Sequence, residues 1–175
     1  GGIGRIDGKA TQNLSVYTQL GGLDNKHNDP ANPYFSMAAA WDGTQTPPLA
    51  AYGYHEPITI YDNNGNARQA NIYYDYVDKQ GGVQVMEYLV AVDPAEDAAN
   101  AGSKGAGLLM AGTMSFSSTN QLINVTGFNF SGSDPTNLSS YTAAPLVNGA
   151  PAFTANLIGS GAQAVALDLG LSLSG

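Results

Sequence analysis

Two stretches of alternating apolar and polar residues flank a short polar turn in the first half of the chain. Apolar side chains occupy every second position around this turn, at Ile58, Ile60, Ala70, Ile72, Tyr74 and Tyr76. Such alternation is typical of half-buried β-strands. Asn64-Gly65 suits a tight hairpin turn, because both residues tolerate positive φ. The pattern predicts antiparallel pairing of residues 58–62 with 68–76 and a positive φ at Gly65.

The same signals predict strands along most of the chain. Val83–Val92 is strongly apolar and follows a turn at Gly81-Gly82, so residues 58–92 are predicted to form a meander of three antiparallel strands. Further strands are predicted at residues 13–20, 107–116, 122–130, 152–158 and 162–173. Residues 34–41 fit either a helix or a strand, because an alanine-rich run there lies beside aromatic residues.

One short helix is predicted at residues 93–102. Asp93 suits the N-cap, Pro94 suits the first helical position, and two carboxylates follow near the positive end of the helix dipole, Glu96 and Asp97. A glycine at position 102 would end this helix after about two turns. This placement accounts for the acidic cluster without an ion site or an acid–base pair.

The composition favours a β-rich domain. The chain has 175 residues, of which 43% are hydrophobic, so it is long enough to bury a core. Its 22 glycines and 9 prolines provide many turns, which a helical bundle would not need. The predicted fold class is mainly β, an antiparallel β-barrel or sandwich-like domain with one short helix.

The charge pattern excludes several classes of partner and site. The net charge is −8 and the six basic residues are scattered, which argues against nucleic acid or an anionic membrane as a partner. The absence of cysteine excludes disulfides, thiolate metal sites and a cysteine nucleophile. No apolar run approaches the roughly 20 residues of a membrane span, and no signal peptide is recognisable.

No residue is predicted to be catalytic, to bind a cofactor or to ligate a metal. The oxygen-rich turn at residues 62–66 has some features of a Ca²⁺ loop. Its glycine is fourth rather than sixth, however, and Tyr73 stands where the bidentate glutamate would be twelfth. The two histidines, His27 and His55, are not at a metal-ligand spacing. A hairpin turn is the better interpretation.

Ten tyrosines leave a second function open. A stacking platform for a sugar is one interpretation of four aromatic residues, Trp41, Tyr52, Tyr54 and Tyr73. Tyrosine is also a good strand former and supplies contact area in assemblies. The sequence therefore allows a structural module and, as the alternative, a β-sandwich module that binds a glycan or another surface ligand.

The turn of the first hairpin resembles a recurring signature of bacterial flagellar hook proteins. The residues that carry this resemblance are Tyr61, Asp62, Asn63, Asn64, Gly65 and Asn66. Three further segments resemble the hook family in the same order, residues 10–14, 108–123 and 165–170. The usual Ser-Leu of the turn is Asn63-Asn64 here, and Leu169 stands where an aromatic residue is common. Related proteins of the flagellar rod share parts of this pattern.

The resemblance implies the outer, β-rich domain of a hook subunit, whose full-length form builds the flexible tube between motor and filament. It implies no enzymatic activity, and partners that are other copies of the subunit and neighbouring axial proteins. It also implies an extracellular location, reached by export without a cleaved signal peptide. Residues 1–175 are expected to form one domain, with 1–12 and 171–175 as truncated flanks towards an inner domain. The isolated chain is expected to be a monomer.

Overall fold

Residues 4–5 and 31–167 are described by a computed structural model of the chain. None of the helices in these ranges is long and apolar enough to cross a membrane. In chain order the elements are β1 (Gly4–Arg5), α1 (Ser36–Ala40), β2 (Tyr54–Tyr61), β3 (Ala67–Gln80), β4 (Val83–Val92), β5 (Leu108–Phe116), β6 (Leu122–Val125), β7 (Phe128–Phe130), β8 (Tyr141–Ala143), β9 (Leu146–Val147), β10 (Ala150–Leu157) and β11 (Gly161–Ala166). Two 3₁₀ turns, Pro94–Glu96 and Leu138–Ser140, complete the described part.

The strands form two sheets. The larger sheet has the order β2-β3-β4-β5-β7-β8, with β6 also paired to β5, and all of its pairings are antiparallel. The smaller sheet has the order β1-β11-β10-β9, in which β1 runs parallel to β11. Because the described strands make two separate sheets rather than one closed cylinder, the sandwich-like alternative is correct and the barrel is not.

One apolar cluster joins the two sheets. The larger sheet contributes Ile60, Ile72 and Tyr88, and the smaller sheet contributes Phe153 and Val165, all of them fully buried. A second cluster covers the opposite face of the larger sheet, where α1 and the segment after it pack on Leu89 and Leu108. Apolar side chains on both faces explain why the second half of β4, residues 88–92, is a continuous hydrophobic run rather than an alternating one.

Three edge strands of the two sheets are short or interrupted. β2 lies at one edge of the larger sheet and carries Pro57 in its middle, opposite Asn71 of β3. The other edge is β8, which has three residues, and β9 at the edge of the smaller sheet has two. A proline has no backbone N–H to offer to a further strand.

The predicted hairpin and meander are confirmed. β2 pairs antiparallel with β3 from Tyr54–Tyr74 to Tyr61–Ala67, and β4 and β5 continue the antiparallel sheet. Gly65 has φ +81°, as predicted. The strands predicted at residues 107–116 and 152–158 correspond to β5 and β10, and that at 162–173 corresponds to β11 as far as the described residues reach. The strand predicted at residues 13–20 lies outside them.

Two sequence predictions need correction. The strand predicted at residues 122–130 is interrupted after Val125, because Thr126 turns both its N–H and its hydroxyl oxygen towards Thr113. The helix predicted at residues 93–102 is a single 3₁₀ turn. Asp93 caps it as predicted, accepting the N–H of Ala95 at 2.9 Å, but the helix ends at Glu96.

Buried hydrogen bonds stop that helix. The Asp97 carboxylate is 1% exposed and accepts N–H groups from Ala99 at 3.0 Å and from Gly107 at 2.8 Å. Ala98 donates its N–H to the carbonyl of Asn156 on β10. These contacts fix an extended backbone that a second helical turn would break. The ambiguous segment at residues 34–41, in contrast, contains the helix α1.

Candidate functional site

One carboxylate organises the turn between β2 and β3, the turn that resembles the hook-protein signature. Asp62 Oδ1 accepts the N–H groups of Asn64 and Asn66, each at 2.9 Å. Its backbone accepts Gly65 N–H at 3.0 Å and donates to Asn66 O at 2.9 Å. An aspartate at this position therefore satisfies donors that a tight turn would otherwise leave to solvent.

Gly65 gives a direct test of this turn geometry. We expect Gly65→Val to lower the free energy of unfolding by about 1–2 kcal/mol, because a side chain at φ +81° is strained. No atom lies within 4 Å of a Cβ built at this position, so the loss would come from the backbone alone. Denaturant unfolding measures the loss, and Gly65→Asn is the control, since asparagine tolerates this region. Equal losses for both variants would contradict the explanation.

Arg68 connects the turn to distant parts of the chain. Its Nε donates to Asp62 Oδ2 at 2.9 Å, and its Nη1 pairs with Glu96. Its Nη2 donates to the carbonyl of Ile158, in the turn between β10 and β11 of the smaller sheet. Burial alone would raise the pKa of Asp62. Hydrogen bonds from Asn66, Arg68 and Asn64 outweigh that effect and hold the pKa below its ordinary 3.8. The carboxylate thus stays ionised and available to the guanidinium.

The two asparagines at the tip of the turn reach the opposing hairpin. Asn63 Nδ2 and Asn64 Nδ2 both donate to backbone carbonyls in the turn between β10 and β11 and at the start of β11. The acceptors are Gly159, Ser160 and Ala162, at 3.0–3.1 Å. Gln163 of β11 returns a hydrogen bond to the carbonyl of Tyr61 at 2.7 Å. We call this set of contacts between residues 61–68 and 158–163, together with Glu96, the hairpin clamp.

The hairpin clamp fixes one sheet to the other at their hairpin tips. The hook-like motif at residues 61–66 supplies one half of the hairpin clamp. The polar residues of this motif therefore have a structural role, which is to hold the two sheets together. No pattern in the sequence indicates that Arg68, Glu96 or Gln163 belongs to the hairpin clamp. The only signal for Arg68 was that the chain has just six basic residues. Glu96 lies in the first turn of the short 3₁₀ helix, as predicted for a helix start, and its carboxylate also pairs with Arg68.

The four aromatic residues of the sugar-binding interpretation do not form one platform. Trp41 is 2% exposed and its Nε1 donates to the carbonyl of Ala106 at 3.0 Å. Tyr52 and Tyr73 meet edge to face, with ring centroids 5.1 Å apart, on the face covered by α1. Tyr54 packs on the other face, against the cluster between the sheets. The prediction that all four aromatic side chains form one stacking surface is therefore wrong.

A cavity of about 330 Å³ lies where the second half of the larger sheet meets β10. Amide and hydroxyl side chains contribute to its lining beside apolar groups, among them Asn100, Asn129, Ser131, Ser140, Thr142 and Thr154. Among the described residues that line it, the one carboxylate is that of Asp97, which already accepts hydrogen bonds from backbone N–H groups. Within residues 31–167, no group of three histidine, aspartate or glutamate side chains is placed to hold a metal ion.

Fold and site together define a mainly β, sandwich-like structural domain whose most connected polar feature joins its own two sheets. The chain belongs to the family described as the flagellar basal body protein FlaE D2 domain, whose model matches residues 23–174. Comparisons with curated proteins and with solved structures gave no match. The family match confirms the resemblance to flagellar hook proteins: this chain is a structural domain of a hook subunit.

Proposed function

We propose that the chain is the single outer domain of its hook subunit and acts as a stiff, non-catalytic building block. The observation that carries this proposal is the hairpin clamp, which ties the two sheets together through Arg68 and the tip of the motif turn. A tube that bends while it rotates needs units that keep their own shape while contacts between units change. A clamped sandwich meets this need.

The surface composition suits contacts that are easily exchanged. Only 11% of the residues are charged, and the turns on the surface are rich in asparagine, serine and threonine. Polar contacts of this kind are individually weak and are replaced by water at little cost. We propose that other copies of the same subunit and neighbouring axial proteins meet these faces. The remaining proposals rest on the family: residues 1–12 and 171–175 as flanks towards an inner domain, and an extracellular position reached without a cleaved signal peptide.

Oligomeric state tests this proposal. We expect the isolated chain to remain a monomer at high micromolar concentration, because a stable oligomer needs a large, well-packed interface. Static light scattering behind a sizing column measures the mass, and the full-length subunit under the same conditions is the control that should assemble. A concentration-independent dimer or ring would contradict the proposal. Robust binding to a glycan array would favour the surface-ligand alternative.

A further inference from the structure

The chain contains the dipeptide Asn-Gly twice, and the structure holds the two copies very differently. One is Asn64-Gly65 in the hairpin clamp, and the other is Asn148-Gly149 between β9 and β10. Asn-Gly is the dipeptide most prone to cyclise, because glycine has no side chain to shield its backbone nitrogen. Both copies lie at exposed positions, so solvent access alone does not distinguish them.

The first copy is restrained at both reacting groups. The side-chain amide of Asn64 donates to the carbonyl of Gly159 at 3.1 Å, and the N–H of Gly65 donates to the carbonyl of Asp62 at 3.0 Å. The Asn64 backbone N–H is also held, by Asp62 Oδ1. For the Gly65 nitrogen to approach the Asn64 amide carbon, the first two of these hydrogen bonds must open.

The second copy lacks such restraints. Val147 is paired with Ala150, so Asn148 and Gly149 form a two-residue turn with φ of +52° and +79°. Within residues 31–167, neither the Asn148 side chain nor the Gly149 N–H makes a hydrogen bond. The turn is anchored on one side by β9, which has two residues and lies at the edge of its sheet. Short edge elements of this kind open locally with little loss of free energy.

We propose that Asn148 is a site of spontaneous modification, at which the backbone nitrogen of Gly149 attacks the side-chain amide while Asn64 stays protected. The Gly149 nitrogen loses its proton to water or hydroxide and forms a bond to Cγ of Asn148. The Cγ–Nδ2 bond breaks, and the departing nitrogen takes up a proton from water and leaves as ammonia, which completes a five-membered succinimide. Water then opens either side of this ring. The net reaction is hydrolysis of an amide, and the products are aspartate or isoaspartate at position 148.

Both products change the surface at this hairpin. Each adds a negative charge to a chain whose net charge is already −8. Isoaspartate also lengthens the backbone by one methylene group, which a two-residue turn cannot absorb without losing the pairing of β9 with β10. Leu146, 61% exposed in the strand next to the turn, would share that displacement. The modification would therefore mark old copies of the domain at one defined edge.

The test is an ageing series on the purified, folded chain in mildly alkaline buffer. Peptide mapping by mass spectrometry follows the amide-to-acid mass change at each asparagine, and an isoaspartate O-methyltransferase with a radiolabelled methyl donor confirms the isomer. We expect Asn148 to convert at least about tenfold faster than Asn64, because conversion of Asn64 requires hydrogen bonds to open first. In concentrated urea this difference should collapse.

A matched variant separates structural protection from intrinsic reactivity. Arg68→Met loosens the hairpin clamp, so it should accelerate conversion of Asn64 and leave the rate at Asn148 unchanged. Gly149→Ala should slow conversion at Asn148, since a Cβ shields the attacking nitrogen. Equal rates at the two sites in the folded chain, or faster conversion of Asn64, would overturn the proposal. A rate difference that persists in urea would overturn it as well, because sequence rather than structure would then be responsible.

Discussion

Replacing Phe153 with alanine is expected to lower the free energy of unfolding by about 3–5 kcal/mol. Phe153 is 0% exposed and belongs to the cluster in which side chains from both sheets meet. On its own strand pair it lies opposite Val165. Truncation removes the apolar contacts of the ring and leaves a cavity that two hydrogen-bonded sheets cannot close by moving together.

The same amino acid near the surface provides the control. Phe128 on β7 is 37% exposed, so Phe128→Ala removes less buried area and should have a clearly smaller effect. Urea or guanidinium unfolding followed by tryptophan fluorescence measures both, since Trp41 is buried in the second cluster and reports loss of packing. Similar losses for the two variants would mean that the contact between the sheets does not dominate stability.

The second large effect is expected from Glu87, a carboxylate buried in the larger sheet. Glu87 is 1% exposed, and its two oxygens accept the N–H groups of Met37 at 2.9 Å and Ala38 at 3.0 Å, at the start of α1. On the sheet it lies opposite the equally buried Asp75. Burial raises the pKa of Glu87 to about 7, and Asp75 adds to the increase, whereas the hydrogen bonds from the helix act against it.

This pKa determines the direction of a pH effect on stability. An acid whose pKa is higher in the folded state binds its proton more tightly when folded, so stability is greatest below the unfolded value and falls as pH rises through the folded value. For Glu87 the window runs from 4.5 to about 7. A shift of this size corresponds to about 3 kcal/mol of stability lost between the ends of the window.

Denaturant unfolding at about pH 5 and about pH 8 measures the effect. Glu87→Gln should remove most of the pH dependence, and Glu56, whose pKa is also raised by burial, should account for part of the remainder. Asp134→Asn is the control, because hydrogen bonds with Thr136 lower the pKa of Asp134 below 3.8, outside the range compared. Stability that rises between the two pH values in the unmodified chain would contradict the assignment to Glu87.

The sequence could predict those features that depend on residues close together in the chain, but not those that depend on contacts between distant residues. The hairpin at residues 58–76 was predictable because its alternation and its Asn-Gly turn are local signals. The conformation of residues 34–41 was not, because the carboxylate of Glu87 that engages the first N–H groups of α1 is about 50 residues away. The helix predicted at residues 93–102 had a correct N-cap, Asp93, but an incorrect end. It failed because the buried carboxylate of Asp97 holds the chain in another conformation.

The candidate site shows the same division. The motif turn was identified from residues that are neighbours in sequence, and its internal hydrogen bonds follow from aspartate, asparagine and glycine at those positions. The contacts of the turn with other parts of the chain could not be predicted from the sequence. Arg68 contacts Glu96, which is 28 residues away, and Ile158, which is 90 residues away. No periodicity connects these positions. The sequence therefore indicated where the site begins but not what it contacts.

The interrupted sheet edges have a consequence for life in an assembly. Subunits of a tube hold identical domains at a very high local concentration, where a long exposed strand would template fusion of neighbouring sheets. Pro57 withholds a backbone donor in the middle of β2, and β8 and β9 offer three and two residues. Neighbouring domains would therefore contact one another through side chains rather than through backbone hydrogen bonds between strands. We therefore expect crowded copies of the domain to separate again without merging into an aggregate.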